Sequence, residues 1–137
     1  MNRTRSLWVG ALVAVAAVGI SCRDTIEPPR EGTVTVSLAT PRADDGAVLI
    51  TVTGPGVGTL APANSSYTIF WRLVSTTELR AIVLGNVVAG PLFTMRVPDI
   101  GNVSGYAGTV TQVANRTDEL QEDRAGYGVQ IAAAEAP

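Results

Sequence analysis

The sequence predicts an all-β domain of two antiparallel sheets packed face to face, preceded by an N-terminal segment that is cut away. Three observations carry that expectation. About seven short runs alternate apolar and polar residues, turn residues recur every ten to fifteen positions, and one loop concentrates the charge.

The chain starts with Arg3 and Arg5 and continues through an uncharged stretch, Ser6 to Ser21, rich in Leu, Val and Ala. A basic start, an apolar run and a small residue at the cut are what the secretion machinery and its peptidase read. As a helix, Leu7 to Ile20 would extend about 21 Å at ~1.5 Å per residue, short of a hydrocarbon core of roughly 30 Å, so cleavage is a better reading than a permanent span. Residues 1–21 are therefore read as a signal peptide. They close on Val18-Gly19-Ile20-Ser21-Cys22, which ends in the only cysteine of the chain.

That segment resembles the lipobox of bacterial lipoproteins, with Gly19 where a large aliphatic residue is usual. The resemblance implies cleavage between Ser21 and Cys22, a diacylglycerol on the Cys22 thiol and acylation of the new amino group. It implies a protein anchored to a membrane by lipid, since two or more chains, each buried CH₂ adding about 0.8 kcal/mol, hold a protein stably. It also implies the cell envelope. Arg23 stands directly after the cysteine where Asp would favour inner-membrane retention, so the outer membrane is favoured if the source is Gram-negative.

Without residues 1–21, 116 residues remain, enough for one domain with a core and too few for two. They carry 8 Arg and 12 acidic side chains, a net −4. No basic cluster favours a nucleic-acid partner. The chain contains no His, the commonest general base and transition-metal ligand. With Cys22 assigned to lipid, Ser–His–Asp and Cys–His catalysis are excluded, as are thiolate or imidazole zinc sites. Carboxylate-only mechanisms and oxygen-ligated calcium stay open.

Residues 22–32 carry charges and the pair Pro28-Pro29, which favours extended backbone without hydrogen bonds, so they read as a tether. The domain is expected over residues 33–132, with 133–137 as a tail. Thr33 to Thr40 alternates Val34, Val36 and Leu38 with polar residues, the mark of a half-buried strand, and Pro41 to Gly46 supplies a turn. Ala47 to Thr53 is apolar nearly throughout and is expected at the centre of its sheet. Gly54-Pro55-Gly56-Val57-Gly58 has no Lys and no helical pattern after it, so it is a turn and not a phosphate cradle.

Tyr67 to Val74 is the third strand. Parity puts Tyr67, Ile69, Trp71 and Leu73 on the face expected to meet the core, and Thr68, Phe70, Arg72 and Val74 on the other. Phe70, Arg72 and Val74 are the candidate binding surface. Glu78 to Leu84 fits helix or strand by pattern, and its shortness before Gly85-Asn86 favours strand. Leu92 to Val97, Gly105 to Ala114 and Tyr127 to Ala132 complete the strands. Asn64-Ser65-Ser66, Asn102-Val103-Ser104 and Asn115-Arg116-Thr117 match the glycosylation pattern, which in a bacterial lipoprotein marks loops only.

Asn115 to Arg124 is the charged loop, read as one short helical turn with Thr117 as its cap and Leu120 pinning it to the core. Asp118, Glu119, Glu122 and Asp123 are the candidates for a weak calcium site. Their spacing does not match a known calcium loop, so a solvated loop and no cofactor beyond the lipid is the favoured reading.

Seven strands with one charged loop suit an immunoglobulin-like Greek key. Ala47-Val48-Leu49-Ile50-Thr51-Val52-Thr53-Gly54-Pro55, Arg80 to Gly85, the Gly90-Pro91-Leu92 lead-in and Tyr106 before Val110 resemble the cohesin-like branch of such sandwiches in small bacterial lipoproteins. The resemblance implies a module that binds a partner protein or serves outside the cell. It transfers no binding residue. The expected function is a non-catalytic envelope lipoprotein that binds protein or glycan or acts as a spacer. The alternatives are an accessory subunit of an envelope complex or a glycan hydrolase built on paired carboxylates.

Overall fold

The computed structural model describes residues 26–134, so the signal segment, Ser21, Cys22 and residues 135–137 lie outside the described residues. Alternation decides the strands. β1 (Gly32–Ala39) buries Val34, Val36 and Leu38, and β2 (Asp45–Thr53) buries Val48, Ile50 and Val52. β3 (Leu60–Pro62) is brief, and β4 (Thr68–Ser75) turns directly into β5 (Glu78–Val87), which buries Leu79, Ala81 and Val83. β6 (Gly90–Val97) adds Phe93, Met95 and Val97 to the core. A 3-10 helix (Ile100–Gly105), β7 (Ala107–Asn115) and β8 (Gly128–Ala133) finish the domain.

Two four-stranded antiparallel sheets result, β3-β6-β1-β8 (sheet A) and β4-β5-β2-β7 (sheet B). Their inner faces form one hydrophobic core. β2 is central, between β5 and β7, as its apolar sequence predicts. Only the β4–β5 pair joins consecutive strands within a sheet. Every other connection crosses between sheets, so the partners nest: β3 with β6, β2 with β7 and β1 with β8. The sandwich has eight strands, one more than expected, because the sequence could not show β3: three residues ending at Pro62 are too short to alternate.

Three expectations are corrected. Trp71 and Leu73 are not core residues: they are 40% and 51% exposed. Trp71 pairs with buried Ala81, so its parity is as expected, but β4 is an edge strand. The facing edge of sheet A is the three-residue β3, which leaves the far half of β4 uncovered.

The 115–124 loop forms no helical turn. The Asn115 side-chain carbonyl accepts from the N–H groups of Thr117 and Glu119, Asp118 adopts φ +63°, and Leu120 bridges Ala114 with its side chain exposed. Asn64 likewise accepts from the Ser66 N–H, so two of the three Asn-x-Ser/Thr triplets are turns closed by the Asn side chain. The tether is also shorter than read. Arg30 accepts from the Ile100 N–H at 2.7 Å, and Glu31 pairs with Arg96 at 2.7 Å, so its last residues belong to the domain.

Register defines the two ends of the sandwich. Gly32 lies opposite Val97, Gly56 sits against Pro98, and the Gly54 N–H donates to Thr77 in the β4–β5 turn. The tether therefore joins at the end that carries this turn. Gly54 is glycine for a steric reason, because a Cβ there would enter the Tyr106 ring, whose hydroxyl donates to the Gly56 carbonyl at 2.8 Å.

The opposite end is tied by one buried carboxylate. Asp45 is fully buried and accepts from the Thr40 hydroxyl at 2.6 Å and the Tyr127 hydroxyl at 2.7 Å. It joins the β1–β2 loop to the start of β8. Burial, then the bond to Asp45, raises the Tyr127 phenol above its ordinary value, and burial, then the Asp99 charge, raises that of Tyr106. Removing one partner of a buried hydrogen bond costs about 1–3 kcal/mol, so Asp45→Ala should lower the urea midpoint accordingly. A raised phenol pKa means stability is full below the unfolded value near pH ~10 and falls as pH rises through the folded value. Denaturation measured from pH 8 to 11 should show that fall, and Tyr127→Phe should reduce it.

Candidate functional site

The two outer faces differ in chemistry. On sheet A, Thr33 pairs with Arg96, Thr35 with Thr94 and Ser37 with Gln130, a polar surface suited to water. On sheet B, Phe70 pairs with Ile82, and Ile82 with Leu49, so one apolar row crosses three strands. Phe70 is 62% exposed and Ile82 40%. β-Branched and aromatic residues are chosen here by strand propensity, yet half-buried strands normally turn polar side chains outward.

The next row is charged. Arg72 stands opposite Arg80, a like-charged cross-strand pair that disfavours the sheet. Glu78 answers one of them: the Arg80 Nε donates to its carboxylate at 3.0 Å, and Nη2 lies 3.0 Å from the same oxygen. Among the described residues Arg72 has no ion-pair partner. Leu49, Phe70, Trp71, Arg72, Arg80 and Ile82 line a hollow of about 340 Å³. A smaller hollow continues it past Leu49 and Ile82 to Ala47, Gln112 and Leu120. The arrangement is apolar with two guanidinium groups at its margin, suited to a bulky apolar group carrying a nearby anion.

Of the predicted surface, Phe70 and Arg72 line the hollow together. Val74 is exposed but sits at an irregularity between Leu73 and Ser75 and does not line it. Leu49, Ile82, Arg80 and Leu120 are additional. Parity within the Glu78–Leu84 run would have put Arg80 and Ile82 on one face, but nothing in the sequence gives the β4–β5 register that sets them beside Arg72 and Phe70.

The structure does not gather the four acidic candidates into one site. Glu119 accepts from the Asn115 side-chain amide at 2.9 Å, and Asp123 from the Ala125 N–H at 2.9 Å. Among the described residues no three carboxylates, His or Cys are placed to hold a metal ion. Among them, too, no helix is long and apolar enough to cross a membrane.

Compared with known proteins, the chain matches no family model, and neither a curated protein nor a solved structure is found to match it. Fold and face together define a two-sheet β-sandwich with one polar outer surface and one on which an apolar row lies beside charged and polar ones.

Phe70 is more exposed than buried and Ile82 the reverse, so Phe70→Ser should cost about 1 kcal/mol in urea denaturation and Ile82→Ser about 2 kcal/mol, both leaving the domain folded. Both should reduce the fluorescence of a dye that reports exposed apolar surface.

Proposed function

We propose that this chain is a lipid-anchored, non-catalytic module of the bacterial cell envelope that binds a protein partner through the outer face of sheet B. The observation that carries the binding part is the row of exposed Phe70 and Ile82 and half-buried Leu49 beside Arg72 and Arg80, set against a polar face on the other sheet. A soluble domain has no folding reason to expose such a row. Burying it against an apolar side chain, with an acidic group on Arg72, would relieve both the exposure and the like-charge pair. A protein surface supplies both chemistries, whereas a glycan calls for more hydrogen-bonding side chains than this hollow offers.

The anchor rests on Val18 to Cys22 and on the geometry of the tether. With Arg30 and Glu31 held against the domain, Cys22 to Pro29 leaves eight residues, about 25 Å at ~3.1 Å per residue in extended form. The face of sheet B then stands with its strands running away from the membrane and its loops 40–45 and 115–124 at the far end. The cohesin-like resemblance of the sequence agrees with a domain whose task is contact.

Intact mass and membrane fractionation, followed by capture after cross-linking in cells, test the proposal. Wild type should lose 21 residues, gain acyl mass and pellet with membranes, and Cys22→Ala should do none of these. A partner protein should be recovered with wild type and not with Phe70→Ser. An unmodified, soluble wild type contradicts the anchor, and undiminished capture by Phe70→Ser contradicts the face.

A further inference from the structure

Edges of sheets are where unpaired backbone groups invite another strand, and proteins blunt them. Three of the four edges here are blunted. β3 has three residues and ends in Pro62. The 120–124 segment covers β7: Leu120 bridges Ala114, the Gln121 N–H donates to the Val113 carbonyl at 2.8 Å, and Arg124 donates to the Thr111 carbonyl at 3.1 Å. β8 lies against β7 where the sheets close, so tightly that a Cβ on Gly108 would strike Val129. β4 differs. It has eight residues without proline, and among the described residues nothing pairs with it on the side away from β5.

Among the described residues the same strand holds half of the large exposed apolar side chains: Phe70, Trp71, Leu73 and Val74. We propose that β4 pairs antiparallel with β4 of a second copy of this chain, with Trp71 opposite its own counterpart on the two-fold axis. The register follows from charge. An axis at Arg72 would oppose two guanidinium groups, and an axis at Phe70 would set Arg72 against Thr68. An axis at Trp71 sets Phe70 of each copy opposite Arg72 of the other, so two cation–π pairs form on the outer face. On the inner face Ile69 meets Leu73 twice, around the paired tryptophans. One occupant thus covers the exposed side chains of β4 and gives Arg72 its missing partner.

The pair joins two four-stranded sheets into one of eight strands. Its interface is a single strand from each copy, at the small end of stable contacts, so association is reversible and concentration-dependent. Antiparallel pairing also places the two tethers at opposite ends. A strand of eight residues spans about 26 Å at ~3.3 Å per residue, as long as the extended tether.

The test uses the full chain as the cell produces it, extracted in mild detergent so that no bilayer fixes the orientation. Sedimentation should show a monomer–dimer equilibrium that Leu73→Lys shifts to monomer by at least tenfold in concentration. Residues directly opposite in an antiparallel pair have Cα atoms about 4.5–5.5 Å apart, within disulfide reach. Trp71→Cys should therefore form a disulfide-linked dimer on mild oxidation, and Thr68→Cys and wild type should not. A wild type that stays monomeric at every concentration overturns the proposal, leaving the sheet B face as a surface for another protein. A dimer that persists in Leu73→Lys, or that Trp71→Cys does not lock, overturns it as well. Loss of partner capture in Phe70→Ser alongside a monomeric wild type distinguishes failure of the self-pairing from failure of the binding face.

Discussion

Val34, Val36 and Leu38 of β1 and Val48, Ile50 and Val52 of β2 meet in one core, and the rest of the structure is arranged around that meeting. The two strands are neighbours in sequence but lie in opposite sheets. Because side chains alternate strictly along a strand, a slip of one residue in either would exchange its buried and exposed sets. The inner faces are thereby fixed, and the outer faces follow from them. Each later strand adds to one side or the other of this pair, which is why the partners nest about the β4–β5 hairpin.

Fixing the inner face leaves the outer one free to vary, and there the two sheets diverge. Sheet A takes the ordinary solution of Thr, Ser, Gln and Arg. Sheet B instead carries Leu49, Phe70 and Ile82 outward beside two arginines held together by strand register. Neither burial nor charge pairing within the domain accounts for that choice. Contact with another surface, as proposed, would account for it, and β4 is at once an edge strand and part of this face.

Much of the architecture was legible in the residues. Alternation in Thr33 to Thr40 and the apolar run Ala47 to Thr53 located the two central strands, and proline and glycine located their ends. Phe70 and Arg72 were recognisable because parity set them apart from Tyr67 and Ile69. Trp71 was misplaced for a physical reason: parity tells which way a side chain points, and only the length of the opposing strand tells whether anything waits there. β3 is that strand, and three residues cannot display a period. Arg80 and Ile82 were hidden because a hairpin register is a tertiary fact. Leu120 was expected inward on a helical turn, but the Asn115 side chain closes a different turn and leaves it outside.

The outer face of sheet B as the place of contact is most directly tested by photo-cross-linking in living cells. A photoreactive residue would replace Ile82 on sheet B in one variant and Thr35 on sheet A in another, both half-way along their strands. Protein adducts at position 82 and none at position 35 are the predicted result. Adducts at 35 alone, or equal adducts at both, would contradict it.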